Sequence, residues 1–534
     1  MRKKLFMLGS IFLLISSFIL INQLQNKNFT VFNTVSETVT EKLQSTLTEV
    51  DRLEFTALLC NETRVPLDDA EKTFYVPLDM EDDQWEKLEF ISGQPEYQIL
   101  FSEDVTDYDK KTVISEGKKF PITVYNGNSW ATYYVVFSGL PIIDLATNEG
   151  FWSEEITGTA VFYDTNFTLY GTQQSEYNGH IRGNTSRMFP KKGYKINLTA
   201  EVDGVTELNK LSLFGMRKDD DWILHALYND DTKIRDRLSM EVWEQFGANA
   251  VSEESHYGPK MTYVEVFADN SYCGLYGLME PVDAKQLNLE TEDYSYKRKN
   301  PGGLIYQRRT FFEESDPYAE VEGFVIKEGV MDENAWKPMA AYCAVLTLSE
   351  EEFLEQEPDM INVDSAVRMW LFVQMITGHD HTAKNVFYVA KYNDELENDY
   401  EFYFAPWDLD LTWGNVSVGE INSVYTAFEM ETYDDRVYWE TGDWVIGLNY
   451  KGAKDTMQNL YKELRSTVLS DESIEQMISE LDHQVRDSGA FARDKERWTD
   501  SVHADSSSQL LEYAKKRMAF LDEALYNSKY LDGQ

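Results

Sequence analysis

The chain has 534 residues, of which 43% are hydrophobic, so it is long enough for two or three domains with cores of their own. Its formal net charge is -44, with 93 acidic against 49 basic residues, and this argues against nucleic acid as a partner because phosphate contacts need clustered Lys and Arg. Cys60, Cys273 and Cys343 form no Cys-x-x-Cys pair, so neither a zinc ribbon nor a disulfide framework is indicated.

Residues 1–27 predict a membrane anchor. Arg2, Lys3 and Lys4 precede an uncharged segment, Leu5–Asn26, whose apolar run is just long enough to cross a bilayer as a helix. No small-x-small cleavage site follows, so an uncleaved signal anchor is favoured over a cleaved secretory signal. No second apolar run of that length occurs, and we therefore expect a single-pass cell-membrane protein with most of its chain extracytoplasmic.

The next two segments predict accessory structure. Residues 28–72 begin with a stretch rich in Thr, Ser, Glu and Gln, which predicts a stalk or a single helix. Residues 73–148 predict a small all-β module, because short β-type runs alternate with polar turns. These runs include Phe74–Val76, Tyr97–Phe101 and Ala131–Phe137. None of these runs carries a residue pattern typical of a catalytic site.

A polar turn with a glycine, Arg182–Arg187, leads through Lys191 and Lys192 into a predicted strand, Tyr194–Leu198, that carries Lys195. Glycine permits close approach of the backbone to a ligand, and several folds hold nucleotide phosphates with a strand lysine below such a turn. Taken alone, the segment also fits a β-hairpin with basic surface residues.

The spacing of Ile234, Leu238, Val242 and Phe246 predicts an amphipathic helix with Asp230 or Asp231 near its start. A carboxylate on this helix could orient the strand lysine, and exposed helix charges are the alternative. The candidates are Asp236, Glu241 and Glu244. Further elements are predicted as a hairpin at Tyr263–Glu280, a strand at Gly302–Tyr306, and helices near Met339–Leu348, Val363–Thr377, Asp455–Ser488 and Ser506–Asn527.

The segment Gly378–Gly414 is the strongest candidate for a functional site. Asp380 and Asn385 stand at the separation of the catalytic Asp and metal-binding Asn of protein kinases, and Asp408 and Asp410 follow after a strand. Asn385 with either aspartate offers oxygen ligands that suit Mg²⁺ or Mn²⁺ bound largely through nucleotide phosphates, and we favour this interpretation. One alternative is a transition-metal site that includes His379 and His381, and another is a structural role in which the aspartates cap turns.

Several motifs resemble those of the spore coat protein H, or CotH, kinase family over about residues 150–530. Their order along the chain is also that of the working parts of a kinase. The last of them is the most specific. They are Arg182–Arg187 with Lys191 and Lys192, Asp231–Leu238, Gly274–Glu280, Asp380 with Asn385, and Pro406–Asp410 with Trp413 and Gly414.

The resemblance implies that residues 149–530 form an α+β, two-lobed, atypical protein-kinase-like domain. It implies ATP with Mg²⁺ or Mn²⁺ as cofactors and Ser or Thr of surface, secreted or spore-coat proteins as substrate. The alternative function is a catalytically silent surface scaffold or binding module for coat or cell-surface assembly.

Carried over residue by residue, the resemblance implies Asp380 as the catalytic Asp and Asn385 as a metal ligand. Asp408 or Asp410 would be the metal-binding Asp. Lys192 or Lys195 would contact phosphates, with Arg182 nearby. We therefore expect the Arg182–Lys195 segment to face the Gly378–Gly414 segment across one cleft.

Overall fold

The computed structural model describes residues 37–81, 84–246, 259–299, 316–382, 384–418 and 425–526. Helices and strands are mixed throughout, so the predicted α+β class is confirmed. The predicted membrane helix and the strand predicted at Gly302–Tyr306 lie outside these residues. Within the ranges given, no helix is long and apolar enough to cross a membrane.

The chain divides into two compact units, which are interleaved in sequence. The first consists of Met1–Gly139, Tyr163–Gln173 and Asn270–Tyr272. The second consists of Leu140–Phe162, Gln174–Asp269 and Cys273–Gln534.

The first unit is built around a six-stranded sheet with Ser129–Ser138 near its centre. Along this strand Ala131, Tyr133 and Val135 are buried while Thr132 and Tyr134 are partly exposed, which is the alternation expected when one face of a strand packs on a core. The β-type runs that the sequence predicts here are confirmed as strands. The strands are Thr48–Glu49, Leu58–Cys60, Thr63–Arg64, Leu67–Asp68, Thr73–Pro77, Phe90–Ser92, Gln98–Phe101, Phe120–Tyr125 and Ser129–Ser138, and the helices are Glu37–Gln44, Lys110–Ser115 and Phe167–Tyr170.

The largest sheet of the second unit has eight strands, seven of which close into a ring. The ring closes because Gln173–Ile181, at one end of the strand order, also pairs antiparallel with Tyr194–Val202 near the other end. Val205–Leu208 is added outside the ring. The ring strands in order are Gln173–Ile181, Glu155–Tyr163, Ile142–Thr147, Met261–Ala268, Ser271–Met279, Asp221–His225 and Tyr194–Val202.

A second sheet in this unit has four antiparallel strands and packs with a buried helix, Val363–Ile376. Asn362 begins the helix by accepting a hydrogen bond from the Ser365 N–H at 2.8 Å. The helix ends at Thr377, whose φ of 54° is left-handed, and this turns the chain into the segment that starts at Gly378. The strands of the sheet are Phe324–Glu328, Tyr294–Arg298, Val386–Tyr392 and Tyr400–Pro406.

The remaining helices and short strands surround these two sheets. The helices are Arg235–Gln245, Lys337–Val345, Glu350–Gln356, Glu440–Gly447, Ala453–Arg465, Asp471–Asp487, Ala490–Arg497 and Ser508–Tyr526. The short strands are Leu211–Ser212, Lys218–Asp219, Asn415–Val418 and Tyr425–Phe428.

One helix prediction differs from the structure. The segment Asp455–Ser488 forms two helices rather than one, because the Ser470 hydroxyl accepts a hydrogen bond from the Ser473 N–H and starts a new helix there. The last predicted helix is confirmed as Ser508–Tyr526.

A buried ion cluster ties the ring to the Ala490–Arg497 helix. Lys191 Nζ lies 2.7 Å from Asp494 Oδ1, and the two side chains are 0% and 1% exposed. Lys233, also fully buried, places Nζ 4.0 Å from Oδ2 of the same carboxylate. The Leu275 N–H donates to Oδ1 at 2.9 Å, and His503 Nε2 lies 3.2 Å from Oδ2. One carboxylate therefore serves two buried cations.

The groups of this cluster are closely packed, and their pKa values are shifted. Gly274 has a φ of 117°, and a Cβ there would lie 2.5 Å from Asp494 Oδ1, so the close approach requires glycine. Burial lowers the pKa of Lys233 to about 8, although the charge of Asp494 acts in the opposite direction. Burial alone would raise the pKa of Asp494, but the two lysines and His503 hold this pKa well below its ordinary value.

We predict that Asp494→Asn will lower the free energy of unfolding by about 3 to 5 kcal/mol, because it leaves two buried lysines without their shared counter-charge. Urea denaturation at neutral pH measures this difference. The matched control is Asp505→Asn, because Asp505 is 98% exposed and pairs with Lys495 at the surface. That change should stay within about 0.5 kcal/mol of wild type, and an equally small effect of Asp494→Asn would contradict the prediction.

Candidate active site

The Gly378–Asn385 turn brings the side chains of Asp380 and Asn385 into direct contact. Asp380 Oδ2 accepts a hydrogen bond from Asn385 Nδ2 at 2.8 Å and lies 2.9 Å from Lys384 Nζ. Asn385 adopts a left-handed φ of 61°, a conformation that Asn tolerates better than most residues. Because its Nδ2 is used by Asp380, the amide oxygen of Asn385 is the atom that remains for a cation.

The two histidines of the turn have different environments. His379 is partly exposed, and its Nε2 lies 3.2 Å from Asp435 Oδ2. His381 is fully buried, and its Nε2 is 3.0 Å from the backbone oxygen of Trp407. Across the described parts of the chain, no three His, Cys, Asp or Glu side chains gather into a metal-binding group. The histidine site that was considered as an alternative is therefore not assembled.

Sheet pairing places the Asp408 motif beside this turn. Val386 pairs with Pro406 across the two antiparallel strands, so the next residue, Trp407, lies against Asn385 and donates its N–H to the Asn385 backbone oxygen at 2.9 Å. Asp408 follows with a left-handed φ of 61° and an exposed side chain. No described residue forms a hydrogen bond or ion pair with its carboxylate.

Two cations lie over the indole of Trp407, which is itself only 6% exposed. The Arg182 guanidinium carbon is 5.3 Å from the ring centroid, and Lys297 Nζ is 4.8 Å from it. Neither side chain has a hydrogen-bond or ion-pair partner among the residues that the structure describes. Burial lowers the pKa of Lys297 to about 7, and the charge of Asp408 acts against this shift. Burial likewise lowers the pKa of Arg182, which Asp408 and Asp236 oppose. The expected pairing of the two segments is thus confirmed for Arg182.

The Arg235–Gln245 helix supplies the opposite side of the Asp408 motif through Asp236. Its Oδ1 accepts the Leu409 N–H at 3.2 Å, and its Oδ2 lies 3.0 Å from His225 Nε2. Burial acts to lower the pKa of His225, but the carboxylate of Asp236 outweighs it and raises this pKa. Of the three carboxylates considered on this helix, Asp236 is the one that borders the site, and its partner is a histidine rather than the strand lysine.

Asp410 is mostly buried between this helix and the segment after strand Asp221–His225. The Asn229 side chain donates to its carboxylate, and Asn415 Nδ2 donates to its backbone oxygen at 2.8 Å. Burial, with the charges of Asp408 and Asp236, raises the pKa of Asp410 well above its ordinary value. Asp408 is therefore the exposed carboxylate of the pair, whereas Asp410 is held by neighbouring amides.

The two lysines predicted to contact phosphates lie elsewhere. Lys192 donates from Nζ to the Arg187 backbone oxygen at 2.6 Å. Lys195 sits on its strand as predicted and pairs with Asp221 Oδ2 at 2.9 Å. Neither lies over Trp407, and their contact with phosphates stays a prediction.

Asn385 and Asp408 are the residues of this site that could hold a divalent cation, if a bound ligand supplied most of its other donors. Asp408 has no partner, Asn385 has a spare amide oxygen, and the two residues are joined through the backbone of Trp407. These are hard oxygen donors, which Mg²⁺ and Mn²⁺ prefer, and one or two carboxylates are enough when phosphates complete the coordination. The adjacent cations are suited to those phosphates.

A family model described as CotH kinase protein matches residues 180–521, more than half of the chain. The chain belongs to the CotH kinase family. The matched range includes Arg182, Lys297, Asp380, Asn385 and Asp408, so the whole site lies in the region that defines membership. No curated protein matches the chain in a sequence search.

Lys297 is the residue that sequence reasoning missed. It lies on strand Tyr294–Arg298 directly opposite Phe387, two residues beyond Asn385. The available signal was weak, because Lys297 is one of several basic residues in Lys297-Arg298-Lys299 and no motif singles it out. Pairing this strand with Val386–Tyr392 would have been needed to bring Lys297 to the site.

We predict that Lys297→Met will stabilise the ligand-free protein below neutral pH and that the gain will shrink as pH rises. The folded chain binds its Lys297 proton less tightly than the unfolded chain, whose ordinary lysine pKa is 10.5. The wild type therefore gains stability relative to the variant as pH rises from about 7 towards that value. Urea denaturation at several pH values measures the difference.

The control is Lys299→Met, because the Lys299 side chain is 53% exposed. Its effect on the free energy of unfolding should not vary in this way with pH. A pH-independent effect of Lys297→Met would show that Lys297 is not a desolvated cation.

Proposed function

We propose that this chain is an extracytoplasmic protein kinase that transfers the γ-phosphate of ATP to Ser or Thr of surface or secreted proteins, spore-coat proteins among them. One observation carries the proposal. Among the described residues, Arg182 and Lys297 lie over Trp407 without a direct ion-pair partner, and Asp408 and the Asp380–Asn385 pair belong to the same site. Desolvated cations without partners are costly, and a polyphosphate that carries a metal ion would satisfy them and Asp408 together.

In this proposal Asp380 orients the substrate hydroxyl and accepts its proton as the hydroxyl oxygen bonds to the γ-phosphorus. The bond from that phosphorus to the β–γ bridging oxygen breaks, and ADP leaves. Arg182 and Lys297 offset the charge of the phosphates. Asn385 and Asp408 would hold Mg²⁺ or Mn²⁺, with Asp410 behind them. When bound, the metal ion neutralises phosphate charge.

A two-lobed, kinase-like arrangement of the second unit is part of the proposal. Two separate hydrophobic cores support it, one formed largely by residues of the ring strands, the first of which ends just before Arg182, and one that includes the four-stranded sheet and the Val363–Ile376 helix. The candidate site draws residues from the elements around both cores.

Attachment to the cell membrane is likewise proposed, and it rests on the basic and apolar pattern of residues 1–27. Protein substrates would then be those that reach the outer face of that membrane.

We predict that Asp380→Asn and Asp408→Asn will each lower phosphate transfer from labelled ATP to a Ser-containing protein by at least about 100-fold. The first change removes the proton acceptor, and the second removes a metal-binding charge. The control is Asp434→Asn, because Asp434 is exposed and lies outside the site. Equal incorporation by all four proteins would refute the kinase assignment.

We also predict that Lys297→Met will weaken the binding of ATP by about 10 to 100-fold, which is the effect of losing one charge-assisted contact. Calorimetric titration with a non-hydrolysable ATP analogue measures this, with Lys192→Met as the matched control. A larger loss for Lys192→Met would place the phosphates at the turn rather than over Trp407. Failure of the wild type to bind nucleotide would favour the scaffold function instead.

A further inference from the structure

His381, the buried histidine of the Gly378–Asn385 turn, makes a hydrogen bond that packing alone would not require. His381 is 0% exposed, and its Nε2 is 3.0 Å from the Trp407 backbone oxygen. A carbonyl oxygen can only accept, so Nε2 carries the proton. Its Nδ1 has no hydrogen-bond partner among the described residues. A polar ring that leaves one nitrogen unsatisfied in a dry site contributes mainly through the single bond that it makes.

That bond acts on the peptide unit that leads into Asp408. The Trp407 carbonyl and the Asp408 N–H belong to the same planar peptide, so holding the carbonyl fixes the plane from which Asp408 extends. Asp408 has a φ of 61°, which residues other than glycine adopt rarely and only where the surroundings hold them. His381 provides part of that restraint.

The other polar group of Trp407 is held by the same turn. Its backbone N–H donates to the Asn385 backbone oxygen at 2.9 Å, so the turn that carries Asp380 binds both the N–H and the C=O of Trp407. The direction of the Asp408 carboxylate is thereby coupled to the position of Asp380, the residue that directly precedes His381. Gly378 accommodates the ring, because a Cβ at this position would lie 2.8 Å from His381 Nδ1.

The neighbouring histidine provides a contrast within the same turn. His379 is 40% exposed at its side chain and faces Asp435, which is 48% exposed. Within the described residues, the recorded side-chain partner of His379 is Asp435, and its ring forms no hydrogen bond with the Trp407 backbone. Of the two histidines that flank Asp380, only His381 is therefore placed to act on the Asp408 motif.

We propose that His381 is a positioning residue that sets the direction of the Asp408 carboxylate relative to Asp380 and so determines how tightly the site holds a divalent cation with its nucleotide. This inference rests on the proposed function, because it assumes that Asp408 is a metal ligand. It predicts a defect in metal binding that leaves the contact of Arg182 and Lys297 with phosphates intact.

The experiment uses the full-length chain and three variants. His381→Leu removes the donor and suits a buried apolar site. His381→Gln keeps an N–H donor at the reach of Nε2. His379→Gln is the matched control on the same turn. Circular dichroism and thermal melting establish that each variant is folded.

Calorimetry then measures two affinities for a non-hydrolysable ATP analogue, one with EDTA and one with Mn²⁺. For His381→Leu we expect unchanged affinity with EDTA and a 10 to 100-fold loss of the gain that Mn²⁺ gives, which is the usual effect of removing a group that orients a metal ligand. His381→Gln should restore that gain to within about fivefold of wild type, and His379→Gln should match wild type.

The possible failures are distinguishable. If the wild type binds the analogue with a gain from Mn²⁺ and His381→Leu shows the same gain, the inference about His381 is wrong while the proposed function stands. If folded His381→Gln loses the gain as fully as His381→Leu, the hydrogen bond is not the reason, and the inference is again wrong. If His381→Leu does not fold, the Gln variant decides alone, and a loss above tenfold overturns the inference. If the wild type binds no analogue with or without Mn²⁺, the proposed function and the inference both fall.

Discussion

The candidate site depends on the backbone of one residue, Trp407. Its N–H and its C=O are both bound by the Gly378–Asn385 turn, and its indole supports two cations from other elements. These contacts depend on the strand register, because the pairing of Val386 with Pro406 places Trp407 next to Asn385. Residues far apart in sequence are thereby positioned around the backbone of Trp407. The same contacts help to hold the left-handed conformations of Asn385 and Asp408.

Lysines in two parts of this protein are removed from water to different extents, and the cost of removing their charge from water is met in different ways. Lys191 and Lys233 share the carboxylate of Asp494 and are enclosed with it, so their charges are balanced within the folded chain. Lys297 is only partly exposed, and burial lowers its pKa; the described residues provide no ion-pair partner for it, and Asp408 influences it only from a distance. The first arrangement is typical of a structural ion cluster. The second is typical of a binding site that is completed by an anion.

The sequence was informative where function depends on local spacing. Asp380 and Asn385 lie in one short turn, so their separation alone marked them as candidate site residues, and Asp408 was added because it follows a predicted strand after Asn385. The assignment of phosphate-contacting lysines depended instead on which strands are neighbours. The glycine turn before Lys195 predicts that it contacts phosphates, and the structure shows only that it pairs with Asp221. Lys297 lies over Trp407 because its strand pairs with Val386–Tyr392, a pairing that no local sequence pattern predicts. The division of the predicted Asp455–Ser488 helix at Ser470 shows the same limit, since a cap competes with continuation of a helix and periodicity does not decide between them.

The ion cluster at Asp494 has a consequence for the order in which the molecule can form. Lys191 and Asp494 are 303 positions apart, and Lys191 directly precedes the strand that closes the ring. At ordinary rates of synthesis, roughly 15 to 60 seconds would pass between the appearance of the lysine and that of its counter-charge. During that interval the lysine cannot be buried without a large penalty, so completion of the ring is coupled to the arrival of the C-terminal helices. A nascent chain would therefore carry Lys191 and Lys233 well before the carboxylate that balances their charges inside the folded chain.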